Sequence, residues 1–193
     1  KHFLLQGEAI GHPLIPEAQR INNDYSVEGV AKIGLITGSN MAGKSTFLRS
    51  LGVNAVLAQL GAQVCAQSFV LSPVQLLSSM RIADNLAENT STFYAELKKL
   101  RSIIERVKAH ERVFILLDEI LRGTNSFVRH TGAAALFQQL IRENADGVIA
   151  THDVELAGLQ TEFPESIENY HFDVELEGEE LYFDYKLKQG ICK

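Results

Sequence analysis

Residues 38–45 have the types and the spacing of a loop that holds phosphate groups. Their sequence, Gly38-Ser39-Asn40-Met41-Ala42-Gly43-Lys44-Ser45, fits G-x-x-x-x-G-K-[ST] at every position. Glycines let backbone N–H groups turn toward a phosphate, and the N-terminus of a following helix adds the positive end of its dipole. Lys44 is expected to reach the β- and γ-phosphates, and the Ser45 hydroxyl to bind Mg²⁺. The spacing therefore predicts ATP and Mg²⁺ as ligands; the alternative is a glycine turn with a chance Lys-Ser pair.

Two acidic residues and a histidine follow other apolar runs. Asp118 and Glu119 come directly after residues 113–117, and His152 follows residues 147–151. Polar residues at the carboxyl ends of strands line the ligand crevice of open α/β sheets. Asp118 is predicted to hold Mg²⁺ opposite Ser45. Glu119 is predicted to polarise the attacking water, and His152 to sense or stabilise the γ-phosphate. The alternatives are solvated strand-end acids and a structural histidine.

Alternating strands and helices are predicted to position these residues. Residues 33–37 form an apolar strand that enters the loop, and residues 45–60 have a helical pattern that Gly61 ends. Residues 92–110 and 127–144 are predicted helices, and the apolar runs before Asp118 and His152 are predicted buried strands. This order predicts an α/β fold of the P-loop NTPase type, with a mostly parallel sheet covered by helices on both faces.

The terminal segments are predicted to add a small antiparallel β region. Residues 3–14 and 27–37 are expected to be strands on either side of the polar turn Asn22-Asn23-Asp24, and residues 170–187 alternate like antiparallel strands. Residues 64–71 are a further predicted strand, and a loop is expected from there through Asn89. The whole chain, 1–193, is predicted to be one domain, with an antiparallel part (1–36), a nucleotide-binding core (37–155) and a C-terminal β segment (156–193).

Composition excludes several classes of protein. The 193 residues carry a formal charge of −6, so DNA is expected to be held by another part of the parent protein rather than by a basic patch here. The absence of a long apolar run predicts no membrane span. Cys65 and Cys192 lack the paired spacing of a zinc site, so we expect free thiols in a reducing compartment, the cytoplasm. The missing initiator Met suggests a fragment of a longer chain.

Four segments resemble the ATPase domain of the MutS family, a branch of the ABC-type ATPases, and together they cover nearly the whole chain. The loop, continued by Thr46, is similar to the family's TGPNMGGKST, and its Asn-Met pair is more specific than a generic phosphate loop. Ser91-Thr92-Phe93 matches the family's STF signature. The segment from Asp118 to Ser126 matches DEIGRGTST, and Ala150-Thr151-His152 with Glu155-Leu156 matches ATHYFEL.

The resemblance implies a composite site in a homodimer. In this family two domains pack head to tail, so Ser91 would act in trans on the γ-phosphate bound by the other copy. Taken alone, Ser91 or Thr92 is also a good helix N-cap. The resemblance also implies an adenine clamp between Arg20, with Ile21 beside it, and Tyr185 near the C-terminus. An alternative for Arg20 is a solvated surface residue.

The chain departs from the family pattern at several positions. Ser39 and Ala42 replace Pro and Gly of the loop, and Phe127-Val128-Arg129 replaces Tyr-Asp-Gly. Arg20 stands where the family usually has Phe. The C-terminal dimerisation helices and the mismatch-reading, connector, lever and clamp domains are not in this sequence, which suggests a divergent MutS-related protein.

The expected function is ATP hydrolysis coupled to recognition of mismatched or structured DNA by the parent protein, as in DNA mismatch repair. A second hypothesis is the motor of a transporter or of a chromosome-structure ATPase, but the glycine-rich LSGGQ-like signature is absent and Asn89-Thr90-Ser91-Thr92 stands in its place. A third is an interaction module that binds ATP with little hydrolysis. The presence of both Asp118 and Glu119 argues against it.

Overall fold

The longest apolar runs of the sequence form the centre of a sheet. In the computed structural model, which describes residues 2–39, 41–80, 91–109, 111–121, 123–177 and 180–191, these runs are β3 (Ile33–Gly38), β6 (Val113–Asp118) and β7 (Asp146–Ala150). Every residue of the three strands is buried. Continuous burial is expected for parallel strands that are covered on both faces.

Within the described ranges, three further strands complete a six-stranded sheet: β5 (Gln75–Ser79), β8 (Ile167–Phe172) and β11 (Leu187–Gln189). Its order is β11-β8-β3-β7-β6-β5, with β11 antiparallel at one edge and the other strands parallel. Ala150 is in register with Ile36 on one side and with Asp118 on the other. The carboxyl ends of β3, β7 and β6 therefore lie level at one edge.

A second, antiparallel sheet has the order β2-β1-β4. Its strands are β1 (Phe3–Ile10), β2 (Asn23–Gly29) and β4 (Ser68–Leu71). The buried residues of β1 and β2 alternate with exposed ones, which is the pattern of a sheet with one face in the core. A short hairpin, β9 (Glu175–Glu177) and β10 (Glu180–Tyr182), lies near the C-terminus.

Helices cover the six-stranded sheet on both faces. They are α1 (Lys44–Gln59), α2 (Ser91–Lys108), α3 (Ser126–Arg142) and the short α4 (Leu159–Glu162), with 3₁₀ turns at Glu17–Gln19 and Val154–Gly158. The core on one face joins α2 and α3 to side chains such as Leu35 and Ile149. The opposite core joins α1 and the antiparallel sheet to Ile36 and Val148. Because neighbouring strand residues point to opposite faces, each of the central strands β3, β6 and β7 contributes to both cores.

The structure corrects several predicted boundaries. Asn23 begins β2 instead of forming a turn, β4 begins at Ser68 instead of residue 64, and the predicted loop after β4 contains β5. Residues 27–37 form parts of two strands in different sheets, so the predicted antiparallel part (1–36) contributes β3 to the parallel sheet. In the C-terminal segment, β8 pairs with β3 in parallel, and β11 pairs with β8 as the one antiparallel strand among those described in that sheet. Pairing partners far along the chain, rather than local patterning, decided these points.

No helix in the described part of the chain is both long enough and apolar enough to cross a membrane.

Candidate nucleotide site

The residues singled out in the sequence meet at the carboxyl edge of the parallel sheet. Gly38 ends β3, Asp118 ends β6, and Thr151 and His152 follow β7 directly. These three strands are adjacent in the order β3-β7-β6. The edge thus brings together the glycine loop, the acidic pair and the histidine, which are up to 114 residues apart in sequence.

The glycine loop (residues 38–43) has backbone conformations that favour glycine at both ends. Gly38 has φ 141°, and a Cβ there would lie 2.8 Å from the backbone carbonyl oxygen of Phe172. Gly43, with φ 108°, precedes α1 as its N-cap and supplies no side-chain hydrogen bond to the helix. The N-terminus of α1 therefore has no side-chain cap from Gly43, and the start of a helix is an electropositive site that favours anions.

The remaining loop residues differ in exposure. Ala42 is buried, Met41 is exposed with φ 69°, and Ser39 is exposed. Ser45 is half-buried and Thr46 exposed in the first turn of α1. The predicted loop residue Asn40 lies outside the described residues.

The ammonium group of Lys44 is held inside the loop. Its Nζ donates hydrogen bonds of 2.7 Å to the carbonyl oxygens of Gly38 and Ser39 and lies 3.1 Å from Nδ1 of His152. Only 4% of the residue is exposed. A buried cation requires such acceptors because desolvation penalises its charge. The loop therefore fixes one positive charge at the point where phosphates would approach the N-terminus of α1.

Among the described residues, only Asp118 has two buried carboxylate oxygens that both lack a hydrogen-bond partner. Only 6% of the residue is exposed. A buried carboxylate without partners is costly, and an oxygen ligand for a hard divalent cation satisfies it. With the half-buried hydroxyl of Ser45 in the first turn of α1 as a second oxygen donor, these residues fit Mg²⁺.

Glu119 lies in a left-handed backbone conformation, with φ 50°. Its backbone N–H donates to the carbonyl oxygen of Ala150 at 2.9 Å, which ties the end of β6 to the end of β7. Non-glycine residues occupy this region at a cost of about 1–3 kcal/mol, and such strain concentrates at functional sites. The turn directs the carboxylate back toward the strand ends, where Oε1 contacts Nε2 of His152.

His152 connects the loop with the acidic pair. Its Nδ1 lies 3.0 Å from the carbonyl oxygen of Gly38 and 3.1 Å from Nζ of Lys44, while its Nε2 contacts Glu119. One imidazole therefore touches both the group that would bind the phosphates and the group that would activate water. The structure thus brings Lys44, Glu119 and His152 into one contact network.

A cleft of about 190 Å³ lies beside the loop, at the start of α1. Ile21 and Tyr185, which are 44% and 43% exposed, line it together with Ile15, Phe47, Phe172, Gly43 and Thr46. The Tyr185 ring approaches the loop closely, since a Cβ on Gly43 would lie 3.2 Å from its Cδ1. The walls are largely apolar and aromatic, with polar groups from Gln19, Asn23 and Ser50, and the cleft includes Gly43 and Thr46 at the start of α1, which suits a nucleobase whose phosphates enter the loop.

Arg20 does not share this cleft. Its side chain packs over Gly11, its Nε donates to Oδ1 of Asn22 at 3.1 Å, and it lines a separate polar cleft with Cys65. Of the three residues predicted to clamp adenine, the structure therefore brings Ile21 and Tyr185 together and leaves Arg20 apart. The signature residue Ser91 begins α2, and its side chain is outside the described atoms.

Two site-forming residues were missed by sequence reasoning. Asn23 was assigned to a turn, but its side chain bonds to the backbone of Tyr185 and Leu187. Glu96 was treated as part of an amphipathic helix, but its carboxylate binds the turn that follows Glu119. The signal for Asn23 was a polar residue at a position where the strand pattern predicts burial. No local feature of the sequence identified the role of Glu96.

A group of three side chains, His130, Asp153 and Glu155, lies next to His152 with its ligand atoms within 4.8 Å of one another. The two oxygens of Asp153 already have partners: Oδ2 lies 2.7 Å from Nδ1 of His130, and Oδ1 accepts from the N–H of Glu155 at 3.1 Å. We interpret the group as a cap on the Val154–Gly158 turn that holds the segment carrying His152.

Comparison with known proteins identifies relatives over nearly the whole chain. It is 34% identical over 185 residues to the DNA mismatch repair protein MutS of Thermotoga petrophila, an alignment covering 94% of this chain and 23% of that protein. It is 32% identical over 194 residues to human MutS protein homolog 4, covering 94% of this chain and 20% of that protein. The chain thus spans between a fifth and a quarter of the length of these relatives. Since the family model described as MutS domain V matches residues 34–193, the chain belongs to the MutS family.

Proposed function

We propose that this chain binds ATP with Mg²⁺ at the glycine loop and hydrolyses it, and that the parent protein couples this reaction to the binding of mismatched or structured DNA. The single observation that carries the proposal is the convergence of Lys44, Asp118, Glu119 and His152 at the edge of three adjacent parallel strands. Hydrolysis of ATP requires a cation at the phosphates, a ligand for Mg²⁺ and a group that positions the attacking water, and these residues offer all three at one edge.

Phosphate binding is assigned to the loop and to Lys44. The uncapped N-terminus of α1 supplies backbone N–H donors and the positive end of a 16-residue helix. Lys44 already lies buried beside this end, held by the loop carbonyls. On binding of ATP, its ammonium group would exchange these carbonyls for oxygens of the β- and γ-phosphates.

Metal binding is assigned to Asp118 and Ser45. Both oxygens of Asp118 are buried without partners, so a divalent cation would satisfy groups that are otherwise destabilising. Bound Mg²⁺ would supply charge neutralisation at the phosphate oxygens. Ser45 lies in the first turn of α1, beside Lys44.

Water activation is assigned to Glu119. Its carboxylate would accept a proton from the water whose oxygen bonds to the γ-phosphorus. The bond from that phosphorus to the β–γ bridging oxygen would break, giving ADP as the leaving group and inorganic phosphate. His152 contacts this carboxylate on one side and Lys44 on the other. Its imidazole would therefore orient Glu119 and respond to the presence of the γ-phosphate.

Coupling to DNA is proposed from the relative in Thermotoga petrophila, which is named DNA mismatch repair protein MutS. Two copies of the chain would close around ATP, with Ser91 of each acting on the nucleotide of the other. Hydrolysis would release the pair, and this change would reach the DNA through parts of the parent protein outside this chain. The formal charge of −6 agrees with DNA being held elsewhere.

Glu119→Gln in the parent protein tests the proposal. The variant is expected to bind ATP with unchanged affinity but to lower kcat at least about a hundredfold, because an amide cannot accept the proton. Glu105→Gln, an exposed residue of α2, is the matched control and should hydrolyse ATP at the parent rate. Normal turnover by Glu119→Gln would remove Glu119 from its role, and an absence of ATP binding by the parent would overturn the proposal as a whole.

A further inference from the structure

Asn23 joins the N-terminal and C-terminal segments at the wall of the cleft beside the loop. Its Nδ2 donates a hydrogen bond of 3.0 Å to the backbone carbonyl of Tyr185, 162 residues away in sequence. Its Oδ1 accepts a hydrogen bond of 2.7 Å from the backbone N–H of Leu187. The residue is 9% exposed. One buried amide therefore holds the backbone from the carbonyl of Tyr185 to the N–H of Leu187.

The segment held by Asn23 has little regular structure of its own. Tyr185 and Lys186 lie between β10 and β11, Leu187 begins β11, and Tyr185 adopts a left-handed conformation with φ 53°. Left-handed backbone is unfavourable for a residue with a bulky side chain, so surrounding contacts must maintain it. Asn23 supplies two of those contacts, and the Lys186 ammonium adds a third by donating to the carbonyl oxygen of Asn22 at 2.8 Å.

The conformation places an aromatic ring beside the phosphate loop. A Cβ on Gly43 would lie 3.2 Å from Cδ1 of the Tyr185 ring, the ring stacks at 5.9 Å on Phe183, and Tyr185 lines the same cleft as Ile21. Aromatic faces bind nucleobases by stacking, which contributes roughly 1–3 kcal/mol per base. If the backbone at Tyr185 rotates, the ring moves and this stacking contribution is lost, while the glycine loop stays unchanged.

We propose that Asn23 is a positioning residue for nucleotide binding: it fixes the backbone at Tyr185 so that the ring closes on the base, and it thereby sets how much the base adds to affinity. This inference rests on the proposed function. Asn23 lines the cleft, but its amide is bonded to the backbone of Tyr185 and Leu187, so it acts through that backbone. Phosphate binding by the loop and Lys44 and metal binding by Asp118 are proposed to be independent of it.

The proposal differs from a purely structural role in the ligands that it affects. A structural residue would change the stability of the fold and, with it, the affinity for every ligand of the site. A positioning residue for the base changes the affinity for ADP but not for inorganic pyrophosphate, because pyrophosphate occupies only the loop. Its effect also disappears once the Tyr185 ring is removed, since the two residues act through one interaction.

The test measures the dissociation constants of Mg-ADP and Mg-pyrophosphate by calorimetry in the full-length protein and its variants. Asn23→Ala should weaken ADP about tenfold, because the carbonyl of Tyr185 and the N–H of Leu187 lose their partner, and should leave pyrophosphate unchanged. Tyr185→Ala should weaken ADP to a similar extent, and the double variant should be no weaker than Tyr185→Ala alone. Asn22→Ala is the matched control, because that side chain bonds to Arg20 in the other cleft.

Three results would overturn the proposal while leaving the proposed function standing. They are equal ADP affinity in Asn23→Ala and the parent, additive losses of ADP affinity in the double variant, and equal losses of affinity for ADP and pyrophosphate in Asn23→Ala. A parent protein that binds neither ligand would overturn both. Should Asn23→Ala not fold, hydrogen exchange in the unmutated protein decides: ADP should slow exchange at the Leu187 amide, and pyrophosphate should not. Unchanged exchange with ADP would also overturn the proposal.

Discussion

The carboxylate of Glu96 accepts a hydrogen bond of 2.7 Å from the backbone N–H of Leu121. Glu96 lies on the second turn of α2, which begins at Ser91, and Leu121 lies two residues after Glu119. Leu121 is buried and has φ 59°, so its N–H faces away from any regular strand partner. The bond fastens the start of α2 to the strained turn that aims Glu119 at His152. A Cβ on Gly123 would lie 2.8 Å from Cβ of Phe93, which shows how closely this turn and α2 pack.

Glu96→Ala is predicted to lower kcat for ATP hydrolysis about tenfold, because it leaves a buried backbone N–H without an acceptor and loosens the turn at Glu119. Glu96→Gln retains an acceptor oxygen and should recover most of the rate. Steady-state kinetics measure both parameters. The KM for ATP should stay within about twofold of the parent value, because the turn takes no part in the proposed phosphate binding. Equal rates for Glu96→Ala and the parent would show that the bond does not position Glu119.

Lys44→Ala is predicted to weaken Mg-ATP binding by at least about a hundredfold. It removes the charge beside the N-terminus of α1 and leaves the carbonyls of Gly38 and Ser39 without their donor. Lys108→Ala is the matched control, because it removes an exposed positive charge at the C-terminus of a different helix, α2. Calorimetric titration distinguishes them, and ATP affinity unaffected by Lys44→Ala would refute the assignment of the loop.

Asp118→Asn is predicted to raise the Mg²⁺ concentration required for half-maximal hydrolysis by at least about tenfold, because an amide oxygen is a weaker ligand than a carboxylate. The same substitution should not lower the melting temperature, since it relieves a buried charge that lacks hydrogen bonds. A Mg²⁺ titration of the rate and a thermal unfolding curve measure the two effects. An unchanged Mg²⁺ requirement would exclude Asp118 as the metal ligand.

Ser91→Ala is predicted to lower hydrolysis while leaving ATP binding intact, because the residue would act on the nucleotide of the other copy. A mixing experiment tests the arrangement in trans. Ser91→Ala and Lys44→Ala are each expected to hydrolyse ATP slowly alone, but their mixture should regain activity. A mixed pair has one site with an intact loop from the first variant and an intact Ser91 from the second. Failure of the mixture to exceed the sum of the two variants would exclude action in trans.

Asp146 is predicted to make the stability of the fold depend on pH. Burial raises the pKa of this carboxyl from 3.8 to about 6, against the lowering effect of the hydrogen bond from the Lys32 N–H. The folded state therefore holds the proton more tightly than the unfolded state. The resulting stabilisation is present below about pH 4 and is lost as pH rises to about 6.

Asp146→Asn should abolish this loss, because the amide oxygen still accepts from Lys32 and carries no charge. Urea unfolding at pH 4 and pH 7 should give a smaller decrease in the free energy of unfolding for Asp146→Asn than for the parent. Glu143→Gln, a nearby half-buried residue, is the control and should follow the parent. A parallel decrease in Asp146→Asn and the parent would contradict the prediction.

The residues of the glycine loop and of the three strand ends were predictable because their signals are local. The loop spacing is contained in eight consecutive residues, and the strands before Gly38, Asp118 and Ala150 are uninterrupted apolar runs. Parallel strands put their carboxyl ends at one edge, so the meeting of these residues followed from the order of the elements. The contacts among Lys44, His152 and Glu119 agree with that expectation.

The other wall of the site depended on tertiary structure. Arg20 and Ile21 are neighbours in an extended segment, and successive residues of such a segment point in opposite directions, so only the packing of the chain decides which one enters the cleft with Tyr185. The sequence alone therefore determined the proposed phosphate and metal end of the site, where spacing along the chain sets the geometry. Only the folded structure decided the proposed base end, because a hydrogen bond across 162 residues joins Asn23 to Tyr185 and Ile21 lines the same cleft. No local pattern carries information about a partner so far away.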